Sequence, residues 1–213
     1  MTKLIIVCFS LIMASYAFAQ INPYEGVKPE DKAKIGELAG RVEKGDLTAF
    51  TDASKMDAKV VIPFLFFQYI HRAAEGDKSA KVEAARAAIR KVKGAVPYLA
   101  QVLVRHETEK LPYIDGFDGG TEWEALTAIG GMEAAAVASP YLFRPARKVV
   151  PASDCLTSDY PTTAAFCLMR MNLPDNPTPG DPGYQNPDVK KWQQWAIAHK
   201  LAGPGVNTPG AKQ

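Results

Sequence analysis

The chain has 213 residues, 47% of them hydrophobic, which is enough apolar material for one domain with a real core. A formal net charge of +2 argues against nucleic acid or an anionic membrane surface as its main partner.

The N-terminus has the plan of a secretory signal. Lys3 supplies the positive start, Leu4 to Met13 an apolar core, and Ala17-Phe18-Ala19 a small-residue cleavage site before Gln20. Cleavage is expected after Ala19, leaving an exported chain, periplasmic or secreted. The apolar run is too short to span a bilayer, and no second run of about 18 apolar residues follows, so no membrane span is expected in the mature chain.

A short lead over 20–28 comes next. Pro29-Glu30-Asp31 reads as a helix start, with proline early and acids near the positive dipole end. Ile35, Leu38, Ala39 and Val42 then form one apolar stripe that ends near Gly45. Val60 to Ile70 is nearly continuous apolar sequence. Its β-branched start favours a strand, but its place in the repeat described below favours a helix, which is the expectation adopted. Ser79 to Lys93 is the cleanest amphipathic helix, with Val82, Ala85, Ile89 and Val92 on one face and Gly94 ending it. Ala95 to His106 is its partner helix. After a loop rich in glycine and aspartate (107–120), Thr121-Glu122-Trp123-Glu124 matches a capping box opening a helix to Ile129. Gly130-Gly131 turn the chain, Glu133 to Phe143 returns, and Thr162 to Met171 begins a degenerate further hairpin. A proline-rich loop over 173–186 leads to Asn186-Pro187-Asp188, a cap, an N1 proline and an acid that start a last helix over 187–202. The tail, 203–213, is expected to be disordered.

One phrase occurs three times: Ile62-Pro63-Phe64-Leu65, Val96-Pro97-Tyr98-Leu99 and Ser139-Pro140-Tyr141-Leu142, its prolines 34 and 43 residues apart. That period belongs to stacked helical hairpins. Ala85-Ala88-Ile89 to Gly94 followed by Ala95-Val96-Pro97-Tyr98-Leu99, and Ala125-Leu126-Ala128-Ile129-Gly130 followed by Val137, Pro140 and Leu142, resemble HEAT repeats of the short, lyase-like bacterial type. The resemblance covers roughly Ala33 to Met171. It implies an all-α fold, an α-solenoid of HEAT-like hairpins over 29–172 closed by a C-terminal capping helix. It also implies binding of a protein or peptide, and brings no shared catalytic residues. Small alanines suit close helix contacts, and proline is tolerated in a first turn, where N–H groups lack partners anyway.

Cys155 and Cys167 remain after signal cleavage; in an oxidising compartment the simplest expectation is one disulfide, contributing roughly 3 kcal/mol in the chain-entropy picture. The acidic stretch Asp115 to Gly120 lacks calcium-loop spacing. His71, His106 and His199 share no motif, and no catalytic, cofactor-binding or metal-binding residue is assigned. Arg144, Arg147 and Lys148 read as a solvated cluster after a helix end. The aromatic run gives candidate partner-binding residues Phe64, Phe67 and Tyr69, because consecutive apolar residues on a helix point in all directions. Trp192 and Trp195 have two readings, as a cap on the last hairpin or as a free binding surface. The leading expectation is thus an exported, non-catalytic binding or scaffold module. The alternatives are an enzyme or enzyme-maturation factor with a pocket at the 107–120 or 174–187 loops, and a structural envelope protein.

Overall fold

The computed structural model describes residues 26–70, 79–109, 120–145, 159–178 and 187–203. These residues form helices and turns, with no strand among them. In chain order the helices are α1 (Pro29–Glu43), α2 (Thr48–Ala53), α3 (Ala58–Leu65), α4 (Ala80–Ile89), α5 (Ala95–Glu109), α6 (Gly120–Ile129), α7 (Gly131–Ala138), α8 (Tyr160–Arg170) and α9 (Val189–Ala198). α3 runs on into a π-helical turn (Phe66–Ile70), and α7 into a 3-10 turn (Ser139–Phe143). The ambiguous apolar segment is therefore helical.

Local chemistry explains where the helices begin. Pro29 occupies the first turn of α1, with Glu30 and Asp31 beside it. Ser79 caps α4 by accepting from the Val82 N–H at 3.3 Å, and Asp159 caps α8 by accepting from Thr162 N–H at 2.9 Å. Two expected starts are corrected. α6 begins at Gly120, so Thr121 lies inside the helix instead of capping it. α9 is capped by Asp188, whose carboxylate accepts from the N–H groups of Lys190 (3.1 Å) and Lys191 (3.3 Å); the helix opens at Val189, and Asn186 lies outside the described residues.

The turn from α1 to α2 is fastened by Arg41, which donates from Nε to Asp46 at 2.8 Å and from Nη1 to Asp52 at 3.0 Å. α1 and α9 end in the same motif. After α1 the chain folds back through Gly45 N–H to Val42 O and Asp46 N–H to Arg41 O, with Gly45 at φ 89°. After α9, Lys200 N–H bonds Ile197 O and Leu201 N–H bonds Ala196 O, but the left-handed position, φ 58°, is held by a lysine.

The helices pack in an alternating order. α2 lies on α4, α4 on α6 and α6 on α8; α3 lies on α5 and α5 on α7. The 3-10 turn packs on α7, α8 and α9. Each copy of the proline phrase sends the same two positions inward: Ile62, Val96 and Ser139 are buried, as are Leu65, Leu99 and Leu142. The predicted stripes are buried as well, Ile35, Leu38 and Val42 on α1, and Val82, Ala85 and Ile89 on α4, with Val92 just beyond. The prolines fall in different places. Pro97 is in the first turn of α5, whereas Pro63 is the sixth residue of α3 and Pro140 sits where α7 changes to 3-10 geometry.

The two matched helix ends give the first prediction. An L side chain in the left-handed region costs about 1 kcal/mol relative to glycine. Lys200→Gly should therefore raise stability by about 1 kcal/mol, and Gly45→Ala should lower it by about as much. Urea unfolding of the two variants beside the parent chain measures both differences.

Candidate functional site

The expected aromatic binding residues lie inside the protein. Phe64 is fully buried and Tyr69 is 8% exposed, and both rings meet edge to face, centroids 5.5 Å apart. Phe50 from α2 closes on Tyr69 from the other side at 4.8 Å. Burial pushes the Tyr69 hydroxyl above its ordinary pKa, with the Glu43 charge acting in the same direction. These two rings are core, covered by the flanking helices, because α1, α4 and α5 all pack around α3 and its π-helical turn. The side chain of Phe67 lies outside what is described.

Trp192 and Trp195 are also buried, at 0% and 5% exposure, which rules out a free-swinging aromatic helix. Their rings meet at 5.4 Å, and Trp195 Nε1–H donates to the Pro174 carbonyl at 3.0 Å. Gln193 on the same helix donates from Nε2 to the Leu142 carbonyl at 2.7 Å, fixing α9 on the 3-10 turn. The Trp192 indole N–H has no hydrogen-bond partner among the described residues. The helix therefore packs on the 3-10 turn and on α8.

Cys167 is a free thiol in the structure, and its expected partner Cys155 lies outside the described residues. Its Sγ donates to the Trp123 carbonyl at 3.4 Å and lies 3.3 Å from the Thr127 hydroxyl, at the contact of α8 with α6. A bridge to Cys155 would remove the S–H that donates to the Trp123 carbonyl. Of the histidines, only the His199 side chain is described. Arg144 places its guanidinium 5.0 Å from the Tyr141 ring centroid, while Arg147 and Lys148 fall outside the described residues, as does the acidic stretch 115–119.

Sequence reasoning missed a polar group at the contact of α5 with α6. Glu122 is only 7% exposed in the first turn of α6, and its charge acts on Tyr98 of α5, which is half-buried. Burial raises the Tyr98 pKa first and the Glu122 charge raises it further, with Arg105 opposing. Tyr98 thus stays protonated at neutral pH. The sequence carries a signal for it: a first-turn acid of a helix that packs on its neighbour can face inward as well as outward. Among the described residues no three His, Cys, Asp or Glu side chains come together in a metal-sized group. No helix among them is long and apolar enough to cross a membrane.

An exposed surface runs along α5 and α7. Pro97, Gln101 and Arg105 form an exposed stripe on α5; Glu133 and Ala136 on α7 and Phe143, 39% exposed, continue on the next helix over. Comparison of the chain with protein-family models, with curated proteins and with solved structures gives no match.

Two predictions follow from the buried groups. Burial pushes the Cys167 thiol up to about 12 from an ordinary 9.0, with the Thr127 hydrogen bond and Arg170 opposing weakly. Below pH 9.0 the thiol is protonated whether the chain is folded or not; above it only the unfolded chain ionises, so stability falls as pH rises toward 12. Cys167→Ser should flatten that alkaline fall, and native Cys167 should react with iodoacetamide only as fast as the protein opens. Separately, Trp192→Ala removes a fully buried indole and should cost about 3–5 kcal/mol, read from urea unfolding.

Proposed function

We propose that the chain is an exported, non-catalytic binding or scaffold module, an α-solenoid of HEAT-like hairpins that docks a protein or peptide on its inner helices, α3, α5 and α7. One observation carries this reading: helices two apart in the chain pack on each other, α2, α4, α6 and α8 in one series and α3, α5 and α7 in the other. Hairpins stacked in register produce that order, whereas a closed bundle would bring first and last helices together. The repeated phrase supports it, since each copy supplies a buried leucine to the same kind of position. The burial of both C-terminal tryptophans supports a capping role for α9, which an open-ended stack of hairpins needs. Export rests on the N-terminal sequence alone, with its charged start and Ala17-Phe18-Ala19 site.

The residues proposed to meet the partner are Gln101, Arg105, Ala136 and Phe143, exposed or on exposed stripes of adjacent helices and not needed for the core. A photo-crosslinking residue placed at Gln101 or Ala136, in the cells that make the protein, should yield a discrete adduct with a second protein. The same residue at Lys44 or Lys55, exposed near α1 and α2, should not. A discrete adduct that disappears with Phe143→Asp supports the reading. No adduct at Gln101 or Ala136, or equal adducts at all four positions, overturns it.

A further inference from the structure

Asp175 and Lys200 are the non-glycine residues with positive φ among those described, 49° and 58°, and both lie where α9 meets the segment after α8. Two contacts cross that junction. Trp195 Nε1–H donates to the Pro174 carbonyl at 3.0 Å, and His199 Nε2 stands 3.9 Å from Asp175 Oδ2. The His199 ring also lies on Trp195, centroids 4.5 Å apart and planes tilted by 39°. His199 is the C-cap residue of α9, and its side chain is 23% exposed.

We propose that this junction is a pH-responsive clasp, in which protonation of His199 tightens the hold of α9 on the segment 173–178. Imidazole is the side chain that changes charge in the physiological range. At 3.9 Å a neutral ring gains little from the Asp175 carboxylate, whereas an imidazolium is attracted to it. The same cation is favoured by the carbonyl end of α9 and by the face of the Trp195 indole. Among the described residues, the Asp175 carboxylate stands against the ring. Lys200 follows it in the chain, exposed, and opposes protonation. Arg170 at the end of α8 and Arg144 after the 3-10 turn are engaged in interactions of their own. The sign follows from linkage: a histidine that gains partners when charged contributes stability at acid pH, and that contribution is lost as pH rises.

The size is bounded by exposure. The Asp175 side chain is 86% exposed, so the pair has the strength of a surface ion pair, a factor of about 1.4 to 5 in the closing equilibrium. The clasp acts locally, on the cap and not on the whole fold, and does not depend on the binding role proposed above.

Hydrogen exchange of the full chain at about pH 5 and about pH 8 tests it. Protection factors of α9 amides, corrected for intrinsic exchange and divided by those of α4, should be about 1.4- to 5-fold higher at the acid value. Asp175→Asn and His199→Gln should each remove the difference; the Asp175 side chain is 86% exposed and the His199 side chain 23%. A pH dependence that survives in either variant, or no such dependence in the parent chain, overturns the proposal.

Discussion

The close approach of helices across alanine-lined faces is the constraint on which the rest of the structure depends. Ala49 and Ala53 on α2, Ala85 and Ala88 on α4, Ala134, Ala135 and Ala138 on α7, Ala164 and Ala165 on α8, and Ala196 on α9 are all buried. A side chain of one carbon holds little apolar area, so these contacts stabilise through the proximity of the backbones and the many short-range contacts that it permits. Such faces leave no room for larger groups, so each helix is tied to its neighbour in one arrangement. The leucines of the repeated phrase then fill the space between, and Leu65, Leu99 and Leu142 can be fully enclosed because the helices around them are already close.

The prolines show how one phrase can serve several backbones. Pro97 sits in a first turn, where no N–H is needed. Pro63 and Pro140 lie deeper, and in both places the helix changes its winding nearby, to a π turn after Leu65 and to a 3-10 turn from Ser139. Ser139, fully buried, donates its hydroxyl to the Ala135 carbonyl at 2.7 Å, so its polar atom is satisfied within the turn. What is common to the three copies is the residue before the proline and the leucine after it, both inside. The repeat is therefore a repeat of burial more than of backbone geometry.

This explains which features were legible in the sequence. The apolar stripes of α1 and α4 have a clean period, and each stripe residue went where the period placed it. The tryptophans of α9 lie on one side of a polar helix, and the cap reading was available from that pattern alone. The candidate site was less legible. Phe64 and Tyr69 sit in a run with no period, and whether such a run faces a partner or the core depends on how many helices surround it, which only the fold decides. Helix starts slipped by one or two residues at Thr121 and Asp188 because threonine, asparagine and aspartate all satisfy the same cap chemistry. Glu122 was hidden by the same ambiguity, and the His199–Asp175 contact joins residues 24 positions apart across a proline-rich segment with no local signal.

The placement of the tryptophans has a consequence for how the molecule can be watched. Trp123, Trp192 and Trp195 are all buried, and all lie in the C-terminal half of the chain. Indole emission therefore reports on α6 and on the cap, while the helices from α1 to α5 carry tyrosine and phenylalanine only. If the helices open as a series of neighbouring units, emission and far-ultraviolet circular dichroism will follow different parts of the same unfolding reaction. Coincident curves would mean that the whole array opens at once; separated curves would give the order in which its two ends come apart.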